Sequence, residues 1–182
     1  ARKSSLRSRL AWISSTGFEP RRRRASASIR ALASMATTVA RFAPAAAGKN
    51  LTLSLAVGGD GPLPVVGDEL RFCQVLGHLV GNAVKFTAEG QVEVLIEAQS
   101  ERWALIRVSD TGPGIAPEDQ ASIFEEYRQV GDLAARRAGS GLGLAISRRL
   151  VQMHDGTIDL DSALGQGSVF RIFLPRGQEV MP

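Results

Sequence analysis

The sequence predicts an α+β fold in which helices cover one face of a mixed β-sheet, forming a two-layer sandwich. At least three segments repeat apolar residues at helical spacing, and five shorter segments show the composition and alternation of strands. Most of these strands follow one another through short turns. Hairpin-connected strands combined with separate helices are typical of an α+β sandwich.

Length and composition indicate a globular protein with one main domain. The 182 residues suit one domain with an appendage, and 44% of them are apolar. Cys73 is the only cysteine, so an internal disulfide cannot form, and no apolar run approaches the ~18 residues that a membrane-spanning helix needs. We therefore expect a cytoplasmic domain, whether or not the full-length protein is anchored to a membrane.

Positive charge is concentrated at the N-terminus. Residues 1–30 carry a net charge of +8, whereas the rest of the chain carries −4. The run Arg21–Arg24 suits nucleic-acid binding, but no recognition motif or aromatic platform lies near it. We interpret the run as a solvated junction and do not expect nucleic acid as a partner.

Two helical patterns precede the first strand. Leu6, Leu10 and Ile13 form a narrow apolar stripe on a short helix that needs a packing partner. A second helix is predicted from about Ile29 to Ala46, with Gly48 as its C-terminal stop. The apolar face of this second helix consists of Leu32, Met35, Val39 and Phe42.

The remaining elements follow from residue 51 onward. Leu51, Leu53 and Leu55 alternate with polar residues and predict a strand, and Asp68 is a suitable cap for a long helix that ends near Thr87. The later strands are predicted at 92–96, 104–108, 157–161 and 168–174, the last helix at 142–154, and a loop-rich stretch at 111–141.

The long helix carries a polar row along one edge. His78, Asn82, Lys85 and Glu89 share a face because they are separated by four, three and four residues. An Asn amide oxygen suits Mg²⁺, and a lysine one turn further on can balance phosphate charge. A solvated helix face is the alternative interpretation.

Two glycine-containing segments suit a nucleotide. Asp110 follows a strand, and its carboxylate can accept a hydrogen bond from the exocyclic amine of adenine, while Gly112 and Gly114 allow close ligand approach. Residues 139–144 open a helix whose backbone N–H groups attract phosphate, but they match neither a Walker A loop nor a dinucleotide fingerprint. Taken singly, these segments and the Gly-Gln-Gly of 165–167 are also compatible with ordinary turns.

Together, the order and spacing of five segments resemble the GHKL ATPase family, and within it the sensor histidine kinases. GNAVKFTAEG (81–90) resembles the N box, DTGPGI (110–115), GSGLGLAIS (139–147) and GQGSVF (165–170) the three glycine boxes, and IFEEYRQVGD (123–132) the phenylalanine box. The resemblance extends over about residues 28–175 and implies the Bergerat ATP-binding fold. The stretch from Arg128 to Ser147 also resembles hybrid histidine kinases.

This resemblance implies a site for ATP and Mg²⁺. Asn82 would bind the metal, Lys85 would contact phosphate, His78 would complete the catalytic group, and Asp110 would hold the adenine amine. Phe124 would anchor a mobile lid over residues 125–138. The other implied binding positions are Gly112, Gly114, Ile115, Arg128, Gly139, Ser140, Gly141, Leu142 and Gly143.

The resemblance also implies an ATP-dependent protein histidine kinase of bacterial two-component signalling. The family's phosphoacceptor histidine lies on an upstream dimerisation helix, and neither His78 nor His154 occupies such a position. We therefore expect residues 1–25 to be a basic remnant of that helix and its linker, 26–176 the catalytic domain, and 177–182 a tail.

The expected partners are the protein's own dimerisation domain, in a full-length homodimer, and a response-regulator receiver domain. Two other functions stay open. One is a GHKL ATP hydrolase, although such enzymes place a Glu general base where this chain has His78. The other is a nucleotide-binding module without transfer activity.

Overall fold

The computed structural model describes residues 25–58, 63–128 and 141–177. These residues form five α-helices, one 3₁₀ turn and five strands. In chain order they are α1 (Ala25–Ala40), α2 (Ala43–Ala47), β1 (Thr52–Val57), α3 (Glu69–Phe86), β2 (Gln91–Ala98), β3 (Trp103–Asp110), α4 (Pro117–Gln120), the 3₁₀ turn (Ser122–Phe124), α5 (Gly143–Gln152), β4 (Thr157–Ala163) and β5 (Gly167–Pro175).

The strands form one mixed sheet in the order β1-β2-β3-β5-β4. β1 runs parallel to β2, and the other three neighbouring pairs are antiparallel. The parallel pair is connected through α3, whereas β2–β3 and β4–β5 are hairpins. The α+β prediction is therefore confirmed.

Helices cover one face of this sheet. α3 packs on β2 and β3, α5 packs on β4, and α3 also contacts both α1 and α5. The core side of the sheet is apolar at alternate positions, with buried Val92, Val94 and Ile96 on β2. α3 buries the largest apolar stripe of any helix described, namely Phe72, Val75, Leu76, Leu79, Val80, Ala83 and Val84.

The second predicted helix is in fact two helices. Instead of continuing from Ile29 to Ala46, the chain breaks at Arg41–Phe42 and restarts as α2 with Pro44 in its first turn. Proline has no N–H to donate, and its ring clashes with the carbonyl four residues earlier, so a continuous helix through Pro44 is unfavourable. Within the loop-rich stretch, α4 and the 3₁₀ turn are additional short elements.

Some predicted features lie outside the described residues. These are the apolar stripe of Leu6, Leu10 and Ile13, the Arg21–Arg24 run, and most of the predicted lid. Among the helices that are described, none is long and apolar enough to cross a membrane.

The N-terminus of α3 is fixed by two residues from different parts of the chain. The Asp68 carboxylate accepts hydrogen bonds from the backbone N–H groups of Leu70 at 2.8 Å and Arg71 at 3.4 Å, as predicted for a cap. The backbone N–H of Asp68 donates to Nε2 of His154 at 3.1 Å, and His154 Nδ1 lies 2.7 Å from the Leu150 carbonyl. This pattern requires the neutral Nδ1–H tautomer, so His154 joins the end of α5 to the start of α3.

Burial along α3 predicts that two of its leucines contribute very differently to the free energy of unfolding. Leu76 is fully buried, whereas Leu70 is 76% exposed. We expect Leu76→Ala to lower the free energy of unfolding by about 3 kcal/mol, because it removes buried methyl groups and leaves a cavity. Leu70→Ala is the matched control and should change it by less than ~0.5 kcal/mol in urea denaturation. Equal losses for the two variants would contradict this packing.

Candidate nucleotide-binding site

α3 carries His78, Asn82 and Lys85 on one half-buried edge. The predicted row of four is wrong at its last member, because α3 ends at Phe86 and Glu89 lies beyond it on an exposed turn. The Asn82 side chain makes no hydrogen bond to any described residue. The Lys85 ammonium lies 4.2 Å from the centre of the Phe86 ring, and burial lowers the pKa of Lys85.

His78 contacts the first turn of α5. Its Nδ1 lies 3.0 Å from Ser147 Oγ, and that hydroxyl donates to the Gly143 carbonyl at 2.7 Å. Because the single Ser147 proton is used there, Nδ1 must carry the proton that His78 donates. Burial lowers the pKa of His78, opposed by its hydrogen bond to the Gly143 backbone, so the neutral imidazole is favoured.

Asp110, Gly112 and Thr87 meet at the C-terminal end of α3. The Asp110 carboxylate accepts a hydrogen bond from the Gly112 N–H at 2.9 Å. A Cβ atom on Gly112 would lie 2.8 Å from Asp110 Oδ1 and 3.1 Å from Thr87 Oγ1, so both oxygens surround the space that this glycine leaves open. Thr87 is fully buried, yet its hydroxyl has no hydrogen-bond partner among the described residues.

Burial raises the pKa of Asp110, and hydrogen bonds from the Gly112 and Ser168 backbone oppose the shift. Desolvation disfavours the charged form of a carboxyl group. Titratable groups whose pKa is shifted by burial are common in binding sites. A half-buried carboxylate beside an unpartnered hydroxyl suits a planar ligand that offers both a donor and an acceptor.

The Asp110 loop is supported by the β4–β5 hairpin. Ser162 Oγ accepts from the Ile115 N–H at 2.9 Å and donates to the Gly167 carbonyl at 2.8 Å. Gly167 has a positive φ of 83°, and a Cβ atom there would lie only 2.0 Å from the Asp110 carbonyl oxygen. A residue with a side chain could not be accommodated at Gly167 without moving the end of β3.

Phe124 and Gly141 flank the segment predicted to be a lid. The Phe124 ring packs edge-on against Phe170 at 6.4 Å and faces the Arg148 guanidinium. The Tyr127 N–H donates to the Gly141 carbonyl at 3.1 Å. The segment between Arg128 and Gly141 includes the predicted positions Gly139 and Ser140 and is not described.

Arg128 is engaged by protein groups in this structure. Its Nε lies 3.2 Å from Ser122 Oγ, and its Nη2 lies 3.9 Å from the Asp119 carboxylate. Arg128, which was predicted to bind the nucleotide, is thus paired with the negative charge of Asp119 in this structure.

α3 connects the region around Thr87 and Asp110 with the region around His78 and the start of α5. With a rise of 1.5 Å per residue, His78 and Thr87 lie roughly 13 Å apart along the helix. Thr87 lies beside Asp110, and His78 lies beside the N-terminus of α5, where Leu142 and Gly143 begin the helix. Helix N-termini attract anions, so the geometry offers an adenine end and a phosphate end.

The residues present fit both ATP and Mg²⁺. Asp110, Thr87 and the open space at Gly112 fit adenine. Among the described residues no group of three or more His, Cys, Asp or Glu side chains could hold a metal ion. Asn82 supplies one amide oxygen, which suits Mg²⁺ that takes its other ligands from phosphate and water.

Comparison with known proteins agrees with this geometry. Residues 67–178 match the family described as histidine kinase-, DNA gyrase B- and HSP90-like ATPases. The chain belongs to this family. The Bergerat-type resemblance stated from the sequence is confirmed, and the chain is an ATPase domain of the histidine kinase type.

Several similar proteins are sensor kinases. The sensor protein GacS of Pseudomonas syringae pv. syringae is 41% identical over 149 residues, covering 78% of this chain and 16% of GacS. The kinase BarA of Escherichia coli K12 is 38% identical over 127 residues, covering 67% of this chain and 14% of BarA. The chain thus spans a small part of the curated relatives that it matches.

Solved structures share the fold. Full-length ShkA in complex with AMPPNP superposes with a TM-score of 0.69 at 34% identity, covering 82% of this chain and 31% of ShkA. The nucleotide-free catalytic domain of histidine kinase ThkA superposes with a TM-score of 0.67 at 26% identity, covering 79% of this chain and 92% of that domain.

Sequence reasoning missed several residues that shape the site of this ATPase domain. Thr87 stood inside the N box without a role, because only the structure shows that its hydroxyl is buried. Ser147 and Ser162 are ordinary serines in the sequence, and their contacts depend on how α5 and β4 pack. For Thr87, the one signal available in the sequence was a hydroxyl side chain within the N box, ahead of the first glycine box.

The unpartnered hydroxyl of Thr87 makes a prediction. Thr87→Val replaces a buried, unsatisfied hydroxyl with a methyl group of similar shape, so we expect the nucleotide-free ATPase domain to gain about 1 kcal/mol in stability. If the hydroxyl serves adenine, the affinity for ATP should fall about tenfold. Thr38→Val is the matched control, since Thr38 Oγ1 already bonds the Ser34 carbonyl at 2.9 Å. A destabilised Thr87→Val variant with unchanged ATP affinity would count against the assignment.

Proposed function

We propose that this ATPase domain binds Mg-ATP and donates the γ-phosphate to a histidine on the dimerisation domain of its own full-length protein. The observation that carries the proposal is the pairing of Asp110 with the unpartnered Thr87 hydroxyl around Gly112. These groups lie at one end of α3, and the polar edge of the same helix leads to the N-terminus of α5.

The adenine end accounts for base recognition. The ionised Asp110 carboxylate only accepts hydrogen bonds, so it matches the adenine amine, whereas guanine carries a carbonyl oxygen at that position. The Thr87 hydroxyl can donate to a ring nitrogen. Because Thr87 is buried and Asp110 is half-buried, a base that leaves either of them unmatched binds with an uncompensated desolvation cost.

The phosphate end accounts for charge neutralisation. Asn82 and Lys85 lie one turn apart on α3, and His78, one turn before Asn82, lies against Gly143 at the start of α5. When bound, Mg²⁺ would neutralise negative charge on the phosphates, with the Asn82 amide oxygen as its protein ligand. Phosphoryl transfer depends mainly on such positioning and electrostatic stabilisation.

Transfer to histidine is favoured over hydrolysis. A GHKL hydrolase needs a general base one turn before the metal-binding Asn, and here that residue is His78, whose Nδ1 proton is committed to Ser147. Its Nε2 could still accept a proton, so hydrolysis is the second candidate. The similarity to sensor kinases supports transfer. On this account residues 26–176 form the catalytic unit in a cytoplasmic homodimer, and a receiver domain is the later acceptor.

The proposal is tested by combining radiolabelled ATP with the domain alone and with the dimerisation domain of its full-length protein. We expect Mg²⁺-dependent ATP binding by calorimetry and no stable label on the domain alone, with acid-labile label appearing on the added domain. Asn82→Ala should reduce both Mg-ATP affinity and transfer by a factor of about 10 to 100, while thermal unfolding stays close to wild type.

Three outcomes would contradict parts of this account. Absence of ATP binding would refute the nucleotide site. Phosphate release that outpaces transfer would favour the hydrolase. Stable labelling of His78 or His154 in the isolated domain would show that the acceptor had been wrongly placed outside the chain.

A substitution at Asp110 separates base recognition from folding. Asp110→Asn keeps an oxygen for the Gly112 N–H but presents an amide N–H to the adenine amine, so ATP affinity should fall on the order of 10- to 100-fold. The preference for ATP over GTP should shrink as well. Calorimetry with both nucleotides measures this, and unchanged discrimination would refute the role of Asp110.

Asp110→Asn should lower ATP affinity without lowering the free energy of unfolding. Because burial raises the pKa of Asp110, the folded protein binds this proton more tightly than the unfolded chain. The carboxylate therefore lowers stability as pH rises through and above the ordinary range of Asp, and neutral Asn removes this penalty. At pH 7 we expect Asp110→Asn to be at least as stable as wild type in urea, and a clear loss would contradict the burial of this charge.

A further inference from the structure

Lys49 reaches the C-terminal end of α3 from a different part of the chain. It lies in the turn between α2 and β1, where Gly48 ends α2 and Asn50 adopts a positive φ of 55°. The backbone N–H of Lys49 donates to the Ala46 carbonyl at 3.0 Å. This turn fixes the start of the Lys49 side chain, so less freedom is lost when its ammonium group is ordered.

The ammonium group of Lys49 uses all of its donors on three carbonyls. Nζ lies 2.9 Å from the carbonyl oxygen of Val84, 2.6 Å from that of Lys85 and 3.1 Å from that of Thr87. An ammonium has three N–H donors, so each carbonyl can receive one. The last carbonyls of a helix have no partner within it and carry the negative end of its dipole. Lys49 therefore donates hydrogen bonds to these carbonyls and places a positive charge at the negative end of the helix dipole.

No other described side chain performs this task. The ammonium of Lys85 lies over the Phe86 ring instead of the helix end. Within the backbone, the Thr87 N–H closes the last helical hydrogen bond by donating to the Ala83 carbonyl at 3.0 Å. Of the carbonyls beyond that bond, Lys49 binds those of Val84, Lys85 and Thr87.

The bound carbonyls belong to the residues that shape the site. Lys85 and Thr87 each present a side chain to the proposed nucleotide and a carbonyl to Lys49. The Phe86 carbonyl between them lies 3.6 Å from the position of a Cβ on Gly112, so the helix end abuts the Asp110 loop. A shift of this helix end would change the placement of the Thr87 hydroxyl relative to Asp110.

We propose that Lys49 is a positioning residue for nucleotide binding, which acts through the backbone of Lys85 and Thr87 without touching the nucleotide. This inference rests on the proposed ATP-binding function. It predicts that loss of the Lys49 ammonium lowers the affinity of the folded protein for ATP, beyond any effect on the folded fraction.

Lys49→Met tests the inference, because it keeps the length and apolar stem of the side chain and removes the charge. Arg41→Met is the matched control, since Arg41 is an exposed cation nearby in the chain whose side chain makes no hydrogen bond or ion pair with a described residue. Titration calorimetry with Mg-ATP is performed at a temperature where circular dichroism shows all variants to be folded. We expect Lys49→Met to weaken ATP binding about tenfold, as for other residues that hold ligand-contacting groups in place, and Arg41→Met to leave it unchanged.

A double-mutant cycle identifies the route. If Lys49 acts by placing Thr87, adding Lys49→Met to Thr87→Val should weaken ATP binding by clearly less than the product of the two single effects. Amide hydrogen exchange of Thr87 should also accelerate in Lys49→Met and stay unchanged in Arg41→Met.

The outcomes separate this inference from the proposed function. If the wild-type domain binds no ATP, both fail. If the wild-type domain binds ATP and folded Lys49→Met binds it equally well, only the role of Lys49 fails. Fully multiplicative effects in the cycle would likewise overturn the proposed route through Thr87.

Discussion

The burial of α3 between the sheet and its neighbouring helices is the constraint on which the site depends. Leu76 and Val80 are fully buried in this helix, so it cannot rotate or slide without exposing apolar surface or opening cavities. The edge with His78, Asn82 and Lys85 is held in one orientation as a consequence. The helix ends beside Asp110, so the spacing of His78 and Thr87 along it also sets the distance between the two ends of the site.

The site concentrates groups that weaken the fold. Asp110 holds a carboxylate at an unfavourable degree of burial, and Thr87 buries a hydroxyl without a described partner. Elsewhere in the core the buried residues are almost all apolar. Local conflicts of this kind are expected where a protein keeps chemistry that folding alone would not select. Asp110 and Thr87 therefore identify the site by physical criteria that do not depend on motif matching.

Features encoded locally could be predicted from the sequence. The Asp68 cap and the apolar period place α3 within a residue or so of its observed bounds, and the alternation in β2 predicts its buried face. The break at Arg41–Phe42 was missed, although Pro44 was a visible local signal. Glu89 was misplaced because its spacing from Lys85 was counted as helical, although the helix was predicted to end near Thr87 and does end at Phe86.

Contacts between distant segments could not be predicted. Lys49 donates to carbonyls 35 or more residues away, and Ser162 accepts from Ile115 across 47 residues. A lysine or a serine in the sequence does not indicate a distant partner of this kind, because both contacts depend on how β1 and β4 are placed in the sheet. The motifs therefore predicted the groups that we propose to face a nucleotide, whereas the groups that hold them in place emerged only from the tertiary structure.

The central claim is that one nucleotide spans α3 from the Thr87–Asp110 end to the N-terminus of α5. The most direct measurement compares backbone amide chemical shifts of the labelled domain titrated with adenosine and with Mg-ATP. The account predicts that adenosine perturbs Thr87 and Gly112 but leaves Gly143 and Leu144 unchanged, whereas Mg-ATP perturbs both sets. Perturbation of Gly143 by adenosine alone, or no response of Thr87 and Gly112 to Mg-ATP, would contradict it.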